Sequence, residues 1–108
     1  MDTADIPTHG PSDWRREPSE RRNAILGKLG EEAAELATRC LRAMIQGLDE
    51  CDPGTGRTNL AHLQDEIADV AAQMQMAGEF LDLDATAITD RERRKYTYKL
   101  PWIKGLPE

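Results

Sequence analysis

From Leu63 to Leu81 the apolar positions step by four and three: Leu63, Ile67, Val70, Met74, Ala77, Leu81. That rhythm belongs to a helix with one face turned to a core. It predicts a helix over 60–81, capped by Thr58 or Asn59. An earlier block, with Leu29, Leu36 and Cys40 along the middle of its stripe, predicts a helix over 20–46. Ser19 stands where an N-cap belongs, and Gly47 where a glycine ends a helix. Gly27 and Gly30 weaken the first turns, so a kink or break is expected there. A third block predicts a helix over 85–99, capped by Asp82 or Asp84 and stopped by Pro101. The stretch 48–59, with Pro53, Gly54 and Gly56, reads as loop. No stretch alternates as a strand does, and nothing repeats.

The expected fold is therefore all-α. An N-terminal arm covers 1–18, a helical domain 19–100 and a C-terminal tail 101–108. Three helices with wide apolar stripes do not close a four-helix core alone. A helical bundle completed by oligomerisation, as homodimer or homotetramer, is the physical expectation.

Polar residues break this pattern at one edge. At about 100° per residue, Glu32 lies roughly 60° from the centre of the first stripe and Glu35 roughly 120°. On the second helix Glu66 and Asp69 lie at the same two offsets, in the same rotational sense. If the two stripes pack antiparallel, the acid pairs share an edge and can converge, though axial register is not given. Like charges about 4 Å apart cost about 1 kcal/mol per pair in water and about 4 kcal/mol where half buried. A cation must offset that cost. Hard oxygen donors without histidine suit Mg²⁺, or Mn²⁺ in its place, better than zinc or copper. The competing reading spends the acids in surface ion pairs, Lys28 with Glu32 and Glu35 with Arg39, both four apart.

Composition narrows the chemistry. The chain has 108 residues, 14 Lys plus Arg against 20 Asp plus Glu, and a formal charge of -6. That balance argues against binding a nucleic-acid polymer but not against one nucleotide held through a metal ion. Cys40 and Cys51 lack a CxxC spacing, and Cys40 is expected to be a small buried hydrophobe. Neither a membrane-length apolar run nor a signal-peptide pattern is present, so a soluble, cytoplasmic protein with no membrane partner is expected.

The motifs EExxE (Glu31, Glu32, Glu35) and ExxD (Glu66, Asp69), within LGEEAAELA and LQDEIADV and followed by LDLD and a basic third helix, resemble the MazG-like all-α nucleotide pyrophosphohydrolases. The likeness covers roughly residues 25–99. It implies a Mg²⁺-dependent hydrolase that cuts an NTP or dNTP between the α- and β-phosphates, giving NMP or dNMP and pyrophosphate. Carried over by motif position, Glu32, Glu35, Glu66 and Asp69 would hold the metal. Glu31 would be an outer-shell ligand or the base that activates water. Arg91 and Lys95, i and i+4 on the third helix, would bind phosphate. Thirty residues separate Glu35 from Glu66, longer than the family tends to use, and the excess lies in CDPGTGRTN. That loop is either a lid over the site or a surface excursion.

Trp14 and His9 in the arm are candidates for contact with a base, against a packing role for the Trp. His62 reads as a surface residue, Trp102 as an anchor for the tail or a second subunit, and Met44, Met74 and Met76 as core filler. The alternative to the enzyme is a catalytically silent helical oligomerisation or interaction module. A di-iron bundle is disfavoured because neither acid-bearing helix carries Glu-x-x-His.

Overall fold

The computed structural model describes residues 14–108, of which Trp14 to Ser19 are irregular. Three helices follow: α1 (Glu20–Gln46), α2 (Asn59–Phe80) and α3 (Ala85–Gly105). Each starts on a side chain that accepts from an orphan backbone N–H: Ser19 from Arg22, Thr58 from Ala61 and Asp84 from Ala87. These caps satisfy donors that a helix start would otherwise leave unpaired. Gly47 ends α1 with φ of 100°, a left-handed setting that disfavours any side chain.

Antiparallel packing of α1 against α2 forms the body of the fold. At one end the Asn59 side-chain amide donates to the Gly47 carbonyl at 2.8 Å, joining the end of α1 to the start of α2. At the other end Arg22 pairs with Asp82 at 2.9 Å, and the Arg21 guanidinium lies 5.6 Å from the centre of the Phe80 ring. The surface ion pair contributes little. Asn59, only 1% exposed, is the closure that matters.

Three expectations are corrected. No break occurs at Gly27 or Gly30: α1 is continuous, because twenty-odd neighbouring helical bonds outweigh about 1 kcal/mol per glycine. Pro101 does not stop α3, which runs on to Gly105. The Thr97 carbonyl that loses its donor there belongs to an exposed residue, so water can satisfy it. The segment from 101 to 105 is thus helix rather than tail. The loop 48–58 is also more regular than its Pro and Gly content suggests. Cys51 and Thr58 form an antiparallel bridge, and the Asp52 N–H donates to the Arg57 carbonyl at 2.7 Å.

The core is thin. Among the described residues, Ile25 and Ala77 are the buried apolar side chains. Leu29, Leu36, Leu63 and Val70 are half-buried along the seam. Cys40 is exposed, as are Met44 (79%), Met74 and Met76, so none of the four is the core residue its position suggested. The reason is geometric: one partner helix covers one strip of α1, and the rest of a wide apolar face stays open. Helix α3 makes almost no contact with α1 or α2 among the described residues, and Trp102 is exposed on it.

Asn59→Ala should lower unfolding free energy by about 1–3 kcal/mol, since it strips the Gly47 carbonyl of a buried donor. Urea unfolding followed by circular dichroism measures this, and an unchanged midpoint would contradict the closing role of Asn59.

Candidate metal centre

Because α1 and α2 are antiparallel and share a polar edge, their acids face one another across the seam. One carboxylate oxygen each from Glu32, Glu35 and Glu66 lies within 4.8 Å of the other two. Glu32 and Glu66 are half-buried, and Glu35 is exposed. The Oε2 atoms of Glu32 and of Glu66 are shut from solvent without a hydrogen-bond partner. Buried carboxylate oxygens are seldom left unpaired.

Charge and burial agree on this point. Desolvation, then the nearby charges of Glu35 and Asp69, raise the carboxyl of Glu32 above its ordinary value of 4.5. Desolvation, Glu35 and Asp69 raise Glu66 likewise, with Arg39 pulling the other way. Asp69 is therefore the cluster's close neighbour, although it lies outside the tight trio. Glu31 points to the rim, exposed, 3.4 Å from the Lys28 ammonium.

Half of the ion-pair reading for these acids holds. Lys28 also approaches Glu32, at 3.8 Å. Arg39 does not pair with Glu35. It donates to Asp52 at 2.8 Å, as Arg42 does at 3.3 Å.

The residues expected to contact substrate sit elsewhere. Arg91 and Lys95 line an open hollow of about 490 Å³ on α3 with Arg94 and Tyr98, and no cluster carboxylate lines it. Trp14 is exposed. His9 falls outside the described residues. His62 is buried rather than on the surface: its Nε2 is 2.6 Å from the Thr55 hydroxyl and 4.0 Å from Asp52. The loop folds back on the start of α2 and covers it.

Asp52 and Arg42 were not singled out from the sequence, and Arg39 only as an ion-pair partner for Glu35. A signal for the arginines exists, since Glu35, Arg39 and Arg42 recur at i, i+4 and i+7 along one edge of α1. Asp52 opens the DPGTG turn, a common place for a side chain that accepts from its own loop. Hydrogen bonds from Arg39 and from the Gly54 N–H hold its carboxyl below its ordinary value of 3.8.

The donor set fits a hard divalent cation. All the donors are oxygens, two of the three side chains carry a buried oxygen without a partner, and three ligands leave positions for water, as Mg²⁺ prefers. No family pattern, curated protein or solved structure matches this chain.

The raised carboxyls of Glu32 and Glu66 mean that the folded chain holds protons which the unfolded chain releases. Metal-free stability should therefore fall as pH rises from 4.5 through the raised values. Asp52 acts in the opposite sense, its contribution being lost as pH falls below 3.8. Thermal melts in chelator across this range should show a mildly acidic optimum. Glu66→Gln should flatten its alkaline flank, and an unaltered flank would mean Glu66 carries no such penalty.

Proposed function

We propose that this protein is a Mg²⁺-dependent nucleotide pyrophosphohydrolase, cleaving an NTP or dNTP between the α- and β-phosphates to release NMP or dNMP and pyrophosphate. The observation that carries the reading is the meeting of Glu32, Glu35 and Glu66, with two buried oxygens lacking partners. The MazG-like motif arrangement supports it. Glu32, Glu35 and Glu66 would hold the metal, and Asp69 would complete the set from beside it. Bound there, the cation would neutralise phosphate oxygens and acidify a water.

The protein's own part is placement and proton handling. Packing of α1 on α2 sets the three carboxylates before any ligand arrives, so little reorganisation opposes binding. Glu31, exposed and beside Lys28, would take the proton of an attacking water or hold a water of the cation's outer shell. No covalent nucleophile is required.

A bundle completed by pairing of copies belongs to the same reading. Its support is the open apolar face of α1, with Leu41, Met44 and Ile45 exposed, the last by 85%. Among the described residues no helix is long and apolar enough to cross a membrane. The second reading, a catalytically silent helical interaction module, draws on the same open face and on the Lys28 ion pairs.

Magnesium separates the two. Millimolar Mg²⁺ should raise the melting temperature by several degrees, about 4–8 °C per kcal/mol of binding for a chain of this size. Glu66→Gln should abolish the rise, and a wild type that does not respond favours the silent module. With a panel of canonical and modified triphosphates, Glu35→Ala and Asp69→Ala should each eliminate pyrophosphate release while the helical circular dichroism persists. Activity surviving either change removes that residue from the site.

A further inference from the structure

Two of the carboxylates, Glu35 and Glu66, line an open hollow of about 210 Å³ together with Thr38, Arg39 and Arg42. Its lining is thus part acidic and part cationic. Arg39 and Arg42 follow Glu35 along the same edge of α1, so the helix itself carries acid and guanidinium groups into one space. Neither arginine is bonded to the metal-site acids. Both donate through Nη1 to a single atom, Asp52 Oδ2, at 2.8 and 3.3 Å. The other oxygen, Oδ1, accepts from the Gly54 N–H at 2.8 Å.

Two guanidinium cations thus share one carboxylate oxygen, so Asp52 alone does not neutralise both. Each guanidinium has five N–H donors, and the Asp52 bonds engage one nitrogen of each. Their exposure differs: the Arg39 side chain is 20% exposed and that of Arg42 48%. Arg39 is the more enclosed of the two, and Arg42 the more open to solvent. The loop 48–58 seats Asp52 under both arginines through the Cys51–Thr58 bridge and the Gly54 turn. It acts as a buttress for the arginines.

A polyphosphate carrying a divalent cation is itself two-sided, positive at the metal and negative at its remaining oxygens. The hollow's lining carries both complementary charges. We propose that Arg42, positioned together with Arg39 by the Asp52 carboxylate, is the polyphosphate-binding cation of this site. Its planar fork grips two non-bridging oxygens while the carboxylates hold the metal end. The ligand class rests on the metal–triphosphate reading above; the arginine assignment rests on the hollow and on the shared Asp52.

The test is calorimetric titration of the full chain with inorganic tripolyphosphate, in millimolar Mg²⁺ and again in EDTA. Tripolyphosphate has no base or sugar, so it reports phosphate contacts alone. Arg42→Gln should raise Kd about tenfold or more. Arg42→Lys should raise it less, keeping the charge but losing the fork. Both variants should keep the helical circular dichroism and the Mg²⁺-only rise in melting temperature. Equal Kd for wild type and Arg42→Gln overturns the assignment, as does a wild type that takes up Mg²⁺ but no tripolyphosphate. If wild type shows no Mg²⁺ response, the metal reading fails by itself, and the EDTA titration decides the Arg42 assignment by the same comparison.

Discussion

Repulsion among Glu32, Glu35 and Glu66 is the constraint around which the rest of this molecule is arranged. Three carboxylate oxygens within 4.8 Å of one another, two of the side chains half-buried, are an unfavourable arrangement by themselves. Burial and mutual charge both oppose ionisation, as the raised carboxyls of Glu32 and Glu66 record. A surface selected only for solubility would turn such side chains outward. Here the antiparallel packing of α1 on α2 holds Glu32 and Glu66 half-buried at the edge of the seam with Glu35 exposed beside them, and Lys28 approaches Glu32 at 3.8 Å.

Two cations close to the cluster bond elsewhere. Arg39 and Arg42 stand on the same helix edge as Glu35, and a direct pair with that glutamate would need no tertiary contact. They bond instead to Asp52, whose carboxyl is held ionised by Arg39 and the Gly54 amide. The loop that brings Asp52 there is tied by its own bridge and by the bonds of Asn59 to Gly47. One small loop therefore bonds both arginines to Asp52 rather than to the cluster acids, and the contact between His62 and Thr55 anchors it to α2.

The thin core belongs to the same picture. With Ile25 and Ala77 as the buried apolar residues among those described, the α1–α2 pair holds its carboxylates with little hydrophobic burial of its own. Most of the apolar surface on α1 and α3 faces outward, and α3 is almost without intramolecular contact. A second copy is the occupant that the proposed reading assigns to this surface. The α3 cations Arg91, Arg94 and Lys95 lie on that free helix, apart from the carboxylates of their own chain.

The sequence by itself determined what is local. Ser19, Gly47, Thr58 and Asp84 set helix ends through bonds made within three or four residues, and the stripe from Leu63 to Leu81 set the face of α2 at Leu63, Val70, Ala77 and Leu81, though Ile67 and Met74 on it are exposed. The shared edge of Glu32, Glu35 and Glu66 was legible too, because rotation about a helix axis depends on spacing alone. Tertiary structure decided what spacing cannot carry. Axial register brought Glu66 rather than Asp69 into the tight trio. The return of the loop buried Asp52 and His62 and took Arg39 away from Glu35. Exposure of Cys40, Met44, Met74 and Met76 followed from how much of each stripe one neighbouring helix can cover. The persistence of α3 past Pro101 followed from its freedom to leave a carbonyl to water. Each of these depends on distances between residues far apart in the chain, and on how much surface a neighbour covers, which no local pattern encodes.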